Sequence, residues 1–422
     1  MSAADPRRWG LRLLTLGTMA MIVAPLLTPP WASIGLIVAV VGVLQAGFPI
    51  RKAMSLPWLW CGAAFSLWII IATAIAWQQG LEGSRLRPPG PAWTWLVAPL
   101  VALGFAGLRA RARILPMVTI ILVCSVALAT VQFVVGLGNG PLQINPTGTR
   151  FSKARGFAEL QLTFGLACAV LLVLSLQPLR QPGLLGWRRW LGGLAGLGLL
   201  LCGSRSALLG AAAGVWTSLT TRGARVSLVA MILVAAGLGV VGLRFAIAQP
   251  ELAEATLQMK DGRWPIWRTA VQLASERPLT GWGGQNAFKA AFRDTFAQVN
   301  PGQKPEFING APHAHSSLLA LAAEFGLPAV GLHIAFWLIA LGWLWRQRRR
   351  APAAWGLGVG VAMVALTGGL FEAYATRVLQ AVAIYGGLGL ALALALDPDS
   401  TESTQSASDP ALPQKPPTGT VA

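Results

Sequence analysis

A chain of 422 residues that is 55% hydrophobic and 11% charged, with 18 Trp and a mean hydropathy of +0.60, is too apolar for a soluble globular protein. The net charge of +18 does not point to nucleic acid, because much of it is arginine in short segments between apolar runs, with no basic tract interleaved with aromatics in a soluble domain. The absence of a Walker or dinucleotide-binding glycine pattern counts against an ATP-driven pump.

A bilayer core about 30 Å thick takes roughly 20 apolar residues per helix. Taken in chain order, the apolar runs near 11–29, 31–48, 57–77, 92–108, 114–137, 157–176, 188–203, 206–220, 225–247, 315–345, 355–373 and 378–396 predict about twelve transmembrane helices. Such runs are too long and too continuously apolar for barrel strands, so the expected class is an all-α polytopic membrane protein. Four parts follow: an N-terminal membrane bundle over 1–247, a long outer loop over 248–314, C-terminal membrane helices over 315–396, and a polar, disordered tail over 397–422.

With the N-terminus in the cytoplasm, every inside loop is basic. They carry Arg7, Arg8 and Arg12, then Arg51 and Lys52, Arg109, Arg111 and Arg113, Arg180, Arg188 and Arg189, Arg222 and Arg225, and Arg346 with Arg348, Arg349 and Arg350. Two outer segments break the bias. Arg150, Lys153 and Arg155 stand in one, and Lys260, Arg263, Arg268, Arg277, Lys289, Arg293 and Lys304 in the other, an excess that points to an anionic ligand. Cys61, Cys124, Cys168 and Cys202 lie in apolar runs at no metal-ligand spacing.

Within the long loop, Asp261 can cap a helix with Pro265 in its first turn, whose apolar positions Trp264, Trp267, Val271 and Ala274 predict one buried face until Pro278 stops it. Gly281-Trp282-Gly283-Gly284 reads as a flexible turn. Phe288, Phe292 and Phe296 then recur every four residues, a stripe expected to pack on protein rather than in the lipid interface.

Candidate chemistry gathers on the outer side. Arg205 opens an apolar run, where an arginine either snorkels to the interface or holds a ligand; the adjoining serines favour the ligand. Arg263 starts the amphipathic helix, where backbone amides and a guanidinium can bind an anion together. His315 is expected in the first turn of a membrane helix, as an imidazole able to take a proton at neutral pH, whereas His313, two residues earlier, should point to a different side. His333 reads as a hydrogen-bonded packing residue. Glu159 and Glu324 are carboxylates in costly positions, each able to pair with an outer arginine, and Glu372 and Arg377 bracket a turn where they can pair with each other or with water. A metal is not expected, since there is no HExxH and no carboxylate or thiol cluster beside the histidines in sequence.

Three segments in order resemble the O-antigen ligase and O-antigen polymerase superfamily: Gly203-Ser204-Arg205-Ser206-Ala207; Gly262-Arg263 with Trp267, followed by Glu276-Arg277-Pro278-Leu279 and Gly281-Trp282-Gly283; and His313-Ala314-His315-Ser316-Ser317-Leu318-Leu319 with Ala323-Glu324 and Gly326-Leu327. Ser316 departs from the pattern, where members commonly carry Asn. The resemblance covers about residues 200–335. It implies an enzyme of the Gram-negative inner membrane that moves glycan at the periplasmic face from an undecaprenyl-diphosphate carrier to an acceptor hydroxyl, without cofactor or metal. Arg205 and Arg263 would bind the diphosphate and His315 would activate the acceptor. His313, Arg150, Arg155, Trp267, Arg268 and Glu159 would contact substrate.

The acceptor is lipid A core in the ligase branch, another carrier-linked glycan in the polymerase branch, and a protein Ser or Thr in a third. The basic outer loops favour the phosphate-bearing lipid A core. A polytopic lipid or glycan transporter without chemistry is the reading from a different class, against which the candidate residues sit at one face rather than at the midplane.

Overall fold

The computed structural model describes residues 6–47, 56–82, 90–106, 108–135, 154–158, 160–177, 182–220, 263–301 and 313–396. Arg150, Lys153 and Glu159, the span expected over 225–247, the loop segment 248–262 with Asp261, and the tail from 397 lie outside the described residues. Among the described residues every regular element is helical.

In chain order these are α1 (Pro6–Val23), α2 (Pro29–Ala46), α3 (Pro57–Gln78), α4 (Pro91–Thr94), α5 (Val97–Phe105), α6 (Leu108–Val135), α7 (Gln161–Leu176), α8 (Pro182–Cys202), α9 (Arg205–Thr220), α10 (Arg263–Glu276), α11 (Gln285–Val299), α12 (Ser317–Phe325), α13 (Leu327–Gln347), α14 (Pro352–Phe371) and α15 (Val378–Leu396). Short 3-10 turns lie at Ala24–Leu26 and Tyr374–Thr376. Proline falls in the first turn of α2, α3, α13 and α14, where its missing N–H has no intrahelical acceptor to lose.

Seven helices, α1, α2, α3, α6, α13, α14 and α15, are long and apolar enough to cross a membrane, against about twelve expected from the apolar runs. The run at 92–108 is divided into α4 and α5, α7 has 16 residues, and the described part of α9 covers 16. The run expected as one helix over 315–345 is also divided. Gly326, at φ 85°, turns the chain between α12 and α13, and Leu327 donates its N–H to the Pro278 carbonyl at 2.7 Å. A Cβ at Gly326 would strike the Leu279 carbonyl, so only glycine fits both the angle and the crossing.

α15 is the axis of the bundle, buried along nearly its whole length and packed against α5, α7 and α14. Small residues permit this: a Cβ at Gly389 would lie 2.6 Å from the Ala98 carbonyl. In a bilayer such close backbone contact, and not expulsion from water, holds helices together. Ile37 and Leu44 on α2, Leu67 on α3 and Leu338 on α13 face outward, as lipid-facing positions do.

The register of α9 against α14 positions the site. A Cβ at Gly214 would lie 2.7 Å from the Gly360 carbonyl, and one at Gly210 would lie 3.2 Å from that of Val364. The two helices therefore run antiparallel, and one further turn carries Arg205 to the end of α14, where Phe371 and Glu372 stand. At the opposite end, buried Arg111 ties helices together: its Nε donates to the Phe105 carbonyl at 3.0 Å and its Nη2 to those of Ala106 at 2.9 Å and Ala393 at 3.3 Å. Arg346 in the last turn of α13, and Arg348, Arg349 and Arg350 just after it, lie at that same end.

A second, smaller core unites α10, α11 and α12 at the site end, built from Leu273, Phe288, Phe292, Phe296, Ala320 and Ala323 among others. The phenylalanine stripe packs on protein, as its spacing predicts. The face of α10 follows the expected positions only in part: Ala274 packs against this core and Trp267 is half-buried, but Trp264 and Val271 are exposed, and Pro265, Thr269, Ala270 and Leu273 are buried instead. Nor is the glycine turn loose. Trp282 donates its N–H to the Ala323 carbonyl, Gly283 and Gly284 donate theirs to that of Glu324, and Trp68 of α3 donates Nε1–H to that of Phe325 at 2.9 Å.

Candidate functional site

The backbone around the histidines is not helical. α12 begins at Ser317, extended Ser316 precedes it, and His315 holds φ 45°, a left-handed conformation that costs a non-glycine residue energy and is met mostly at functional positions. Two contacts fix it: Ala314 is fully buried in the smaller core, and the Trp267 indole donates to the His315 carbonyl at 3.4 Å. The kink brings the rings of His313 and His315 to 4.0 Å between centroids, inclined at 36°. This corrects two expectations. His315 stands before the helix rather than in its first turn, and His313 shares its side, because the 100° step of a helix does not apply to this backbone.

The decisive partner is Glu372. It follows α14 in an extended conformation, with Oε1 3.7 Å from Arg263 Nη2 and Oε2 3.6 Å from His315 Nδ1. That second distance is just beyond hydrogen-bond reach, and His315 Nδ1 is buried without another partner, so the carboxylate is the group facing it. Ser317 Oγ donates to the Glu372 carbonyl at 2.8 Å, which fixes the turn against α12. Arg263 lies over the Phe371 ring at 5.6 Å, and Trp267 packs on that ring at 6.4 Å. Arg377 Nη2 donates to His313 Nδ1 at 2.9 Å; since guanidinium only donates, that nitrogen accepts, and His313 carries its ring proton on Nε2.

Glu372 and Arg377 thus turn away from each other and each takes a histidine, instead of pairing together. The signal in the sequence was an acid and a base around a short turn between two apolar runs. Its partners lie more than 50 residues away in the chain.

The remaining candidates disperse. Arg205 opens α9 at the same end, between Ser204 and Ser206, whose buried hydroxyls stand 3.2 Å apart. Arg155 belongs to a segment docked on α6, where its backbone N–H donates to Gln132 Oε1 at 3.0 Å, and Arg268 is exposed on α10. His333 bridges Tyr374 and Tyr385 at 3.2 and 3.1 Å, the packing role expected of it.

His313, His315 and Glu372 offer ligand atoms within 4.8 Å of one another, so the carboxylate that the chain order does not place near the histidines is brought there by the fold. The trio has the composition of a metal site. Two guanidiniums stand against this trio, Arg263 on Glu372 and Arg377 on His313, which favours an anion over a cation at this point.

Glu324 is buried on α12, and burial pushes its carboxyl up from 4.5 to about 8, against opposing pulls from Arg377, the Thr376 hydroxyl and Lys289. Between those values the folded protein holds a proton that the unfolded chain has released. Stability is therefore fully present below about 4.5 and is lost as pH rises to about 8. We expect the melting temperature of detergent-solubilised protein to fall between pH 5 and pH 9, and Glu324→Gln to remove most of that fall; equal pH dependence in both proteins would disprove it.

The chain is a polytopic helical bundle of the kind that spans a membrane, with two imidazoles, a carboxylate and guanidiniums gathered at one end. Residues 190–334, about a third of the chain, match the family described as O-antigen ligase, a match that supports the O-antigen ligase superfamily. The matched segment carries Arg205, Arg263, Trp267, His313 and His315; Glu372 and Arg377 lie beyond it. The family supports glycan-transfer activity of the O-antigen ligase or polymerase type. No curated protein matches the chain.

Proposed function

We propose that the protein transfers O-antigen glycan from an undecaprenyl-diphosphate carrier to a hydroxyl of lipid A core, at the periplasmic face of the inner membrane. The observation that carries this reading is Glu372, which stands between the anion-binding Arg263 and the candidate base His315. With its Nδ1–H toward the carboxylate, His315 presents a free lone pair on Nε2.

The acceptor oxygen attacks the anomeric carbon as its proton passes to His315 Nε2. The bond between that carbon and the phosphate oxygen breaks, and the diphosphate leaves with the electron pair. Arg263 and Arg205 stabilise the charge that grows on it, and a single displacement inverts the anomeric centre. The site's place at one end of the bundle supports transfer over carriage across the bilayer, and the basic residues at the opposite end fit a cytoplasmic side there.

Purified protein in nanodiscs, given carrier-linked glycan and O-antigen-free lipopolysaccharide, should yield glycan-capped core. Movement of glycan across the bilayer with no new glycosidic bond would overturn the reading. Core capped by a single repeat unit in a deletion strain would instead assign polymerase activity. In the same assay Arg263→Ala and Arg205→Ala should each lower transfer by about 10²–10³-fold, the effect of removing one group that stabilises transition-state charge. Lysine should rescue poorly, since an ammonium does not reproduce the two parallel hydrogen bonds of guanidinium. Full activity in either alanine variant removes that arginine from the site.

A further inference from the structure

A cavity of about 700 Å³ opens at the site end, separate from the histidine pair but joined to it through Arg377, which lines the cavity and donates to His313. Its size falls within the range of roughly 300–1,000 Å³ common to small-molecule sites. Helices α2, α4, α7, α11 and α15 all begin on it, and Glu324 of α12 contributes to its wall.

Two buried acceptor atoms in that wall lack a partner. Glu324 Oε1 and Gln380 Oε1 belong to side chains only 1% and 4% exposed, and neither makes a hydrogen bond within the protein. Leaving such atoms unpaired costs roughly 1–3 kcal/mol each, so the arrangement calls for a donor from outside. The cavity also offers donors of its own: the Thr163 hydroxyl, the Arg377 guanidinium, and the opening amides of α11, whose N-cap is Gly284 and which has no side-chain cap.

The mixture decides the ligand class. A phosphate group presents acceptors and would satisfy the arginine and the helix start, but having no donor it would leave the buried Gln380 Oε1 unmet. A polyhydroxylated ring gives every hydroxyl as donor and acceptor at once, and Trp93 and Pro91 supply apolar surface for its C–H faces. The cavity meets the reaction site through Arg377 and His313, whose ring lies 4.0 Å from that of His315, the group that takes the acceptor's proton.

We propose that this cavity is the acceptor-sugar subsite, binding the hydroxyls of the core saccharide through Gln380, Glu324 and the start of α11. The inference rests on the glycan-transfer reading, and its test separates the two. Two variants are suited: Gln380→Leu, which removes one orphaned acceptor, and Asn286→Trp, which fills the mouth from an exposed position and leaves the core untouched. Initial rates would be measured while the carrier-linked donor and O-antigen-free lipopolysaccharide are varied in turn. Binding of released core oligosaccharide would be followed by intrinsic tryptophan fluorescence without donor, with titration of wild type by inorganic pyrophosphate as the anion control.

The KM for acceptor should rise about fivefold in Gln380→Leu, as loss of one uncharged hydrogen bond requires. It should rise on the order of tenfold in Asn286→Trp, with the donor KM within twofold of wild type and core binding weakened in parallel. A rise in donor KM instead assigns the cavity to the donor glycan and overturns the proposal. So does an unchanged acceptor KM in both variants, or pyrophosphate competing with core oligosaccharide for the cavity. If wild type binds the core oligosaccharide in the cavity yet transfers nothing, the sugar site stands and the transferase reading fails; if it transfers but both variants behave as wild type, the reverse holds.

Discussion

Glu372→Gln is expected to lower transfer by about 10²–10³-fold while leaving donor binding intact or slightly tighter. The substitution keeps the volume of the side chain and removes only its charge. The carboxylate faces two cations in waiting, Arg263 at 3.7 Å and the ring of His315 at 3.6 Å, and an amide can neither hold the imidazole in one tautomer nor stabilise it once protonated. Released from its ion pair, Arg263 has more of its hydrogen-bonding capacity for the diphosphate. The effect should therefore appear in kcat with little change in donor KM, the pattern of a group that acts in the transition state. Glu372→Asp should fall between, because a shorter side chain does not span both partners. Initial rates at saturating donor decide the matter: turnover within about threefold of wild type would remove Glu372 from the mechanism.

What could be read from the chain alone divides along a physical line. Local pattern identified the all-helical class, the stripe of Phe288, Phe292 and Phe296, and the structural place of His333. Features decided by distant contacts were not legible. Glu372 reaches His315 only because the Ser317 hydroxyl and the Tyr374–Thr376 turn bring the end of α14 onto α12. The break at Gly326 comes from the loop of Leu279 crossing it, and hydropathy carries no trace of that crossing. Two positions of the α10 face were misread because Trp264 and Val271 look like core side chains, whereas the available neighbours, α11 and α12, lie on the side of Thr269, Ala270 and Leu273. Periodicity gives a helix its faces. Which face is covered depends on what packs there.

His315→Ala should cost about 10²–10⁴-fold in turnover, the usual contribution of a positioned general base, with donor affinity held by the arginines. The left-handed backbone at this residue supports the assignment, since strain of that kind persists only where the surroundings enforce it, and here the Trp267 indole and buried Ala314 do so. His313→Ala should cost less. Its Nδ1 is occupied by Arg377, so it serves to place that guanidinium and to pack against the neighbouring ring. The distinction shows in the pH dependence of wild type, where the rate falls on the acid side as the base takes up a proton from solvent. His315→Gln keeps the polarity of the position but has no basic lone pair, and its residual rate should lose that acid limb, whereas His313→Gln should retain it. Assays would be run with and without EDTA, because His313, His315 and Glu372 have the spacing of a metal site. An acid limb unchanged in His315→Gln would leave this residue a positioning role only, and activity lost to EDTA and restored by a divalent ion would replace base catalysis with chemistry at a bound metal.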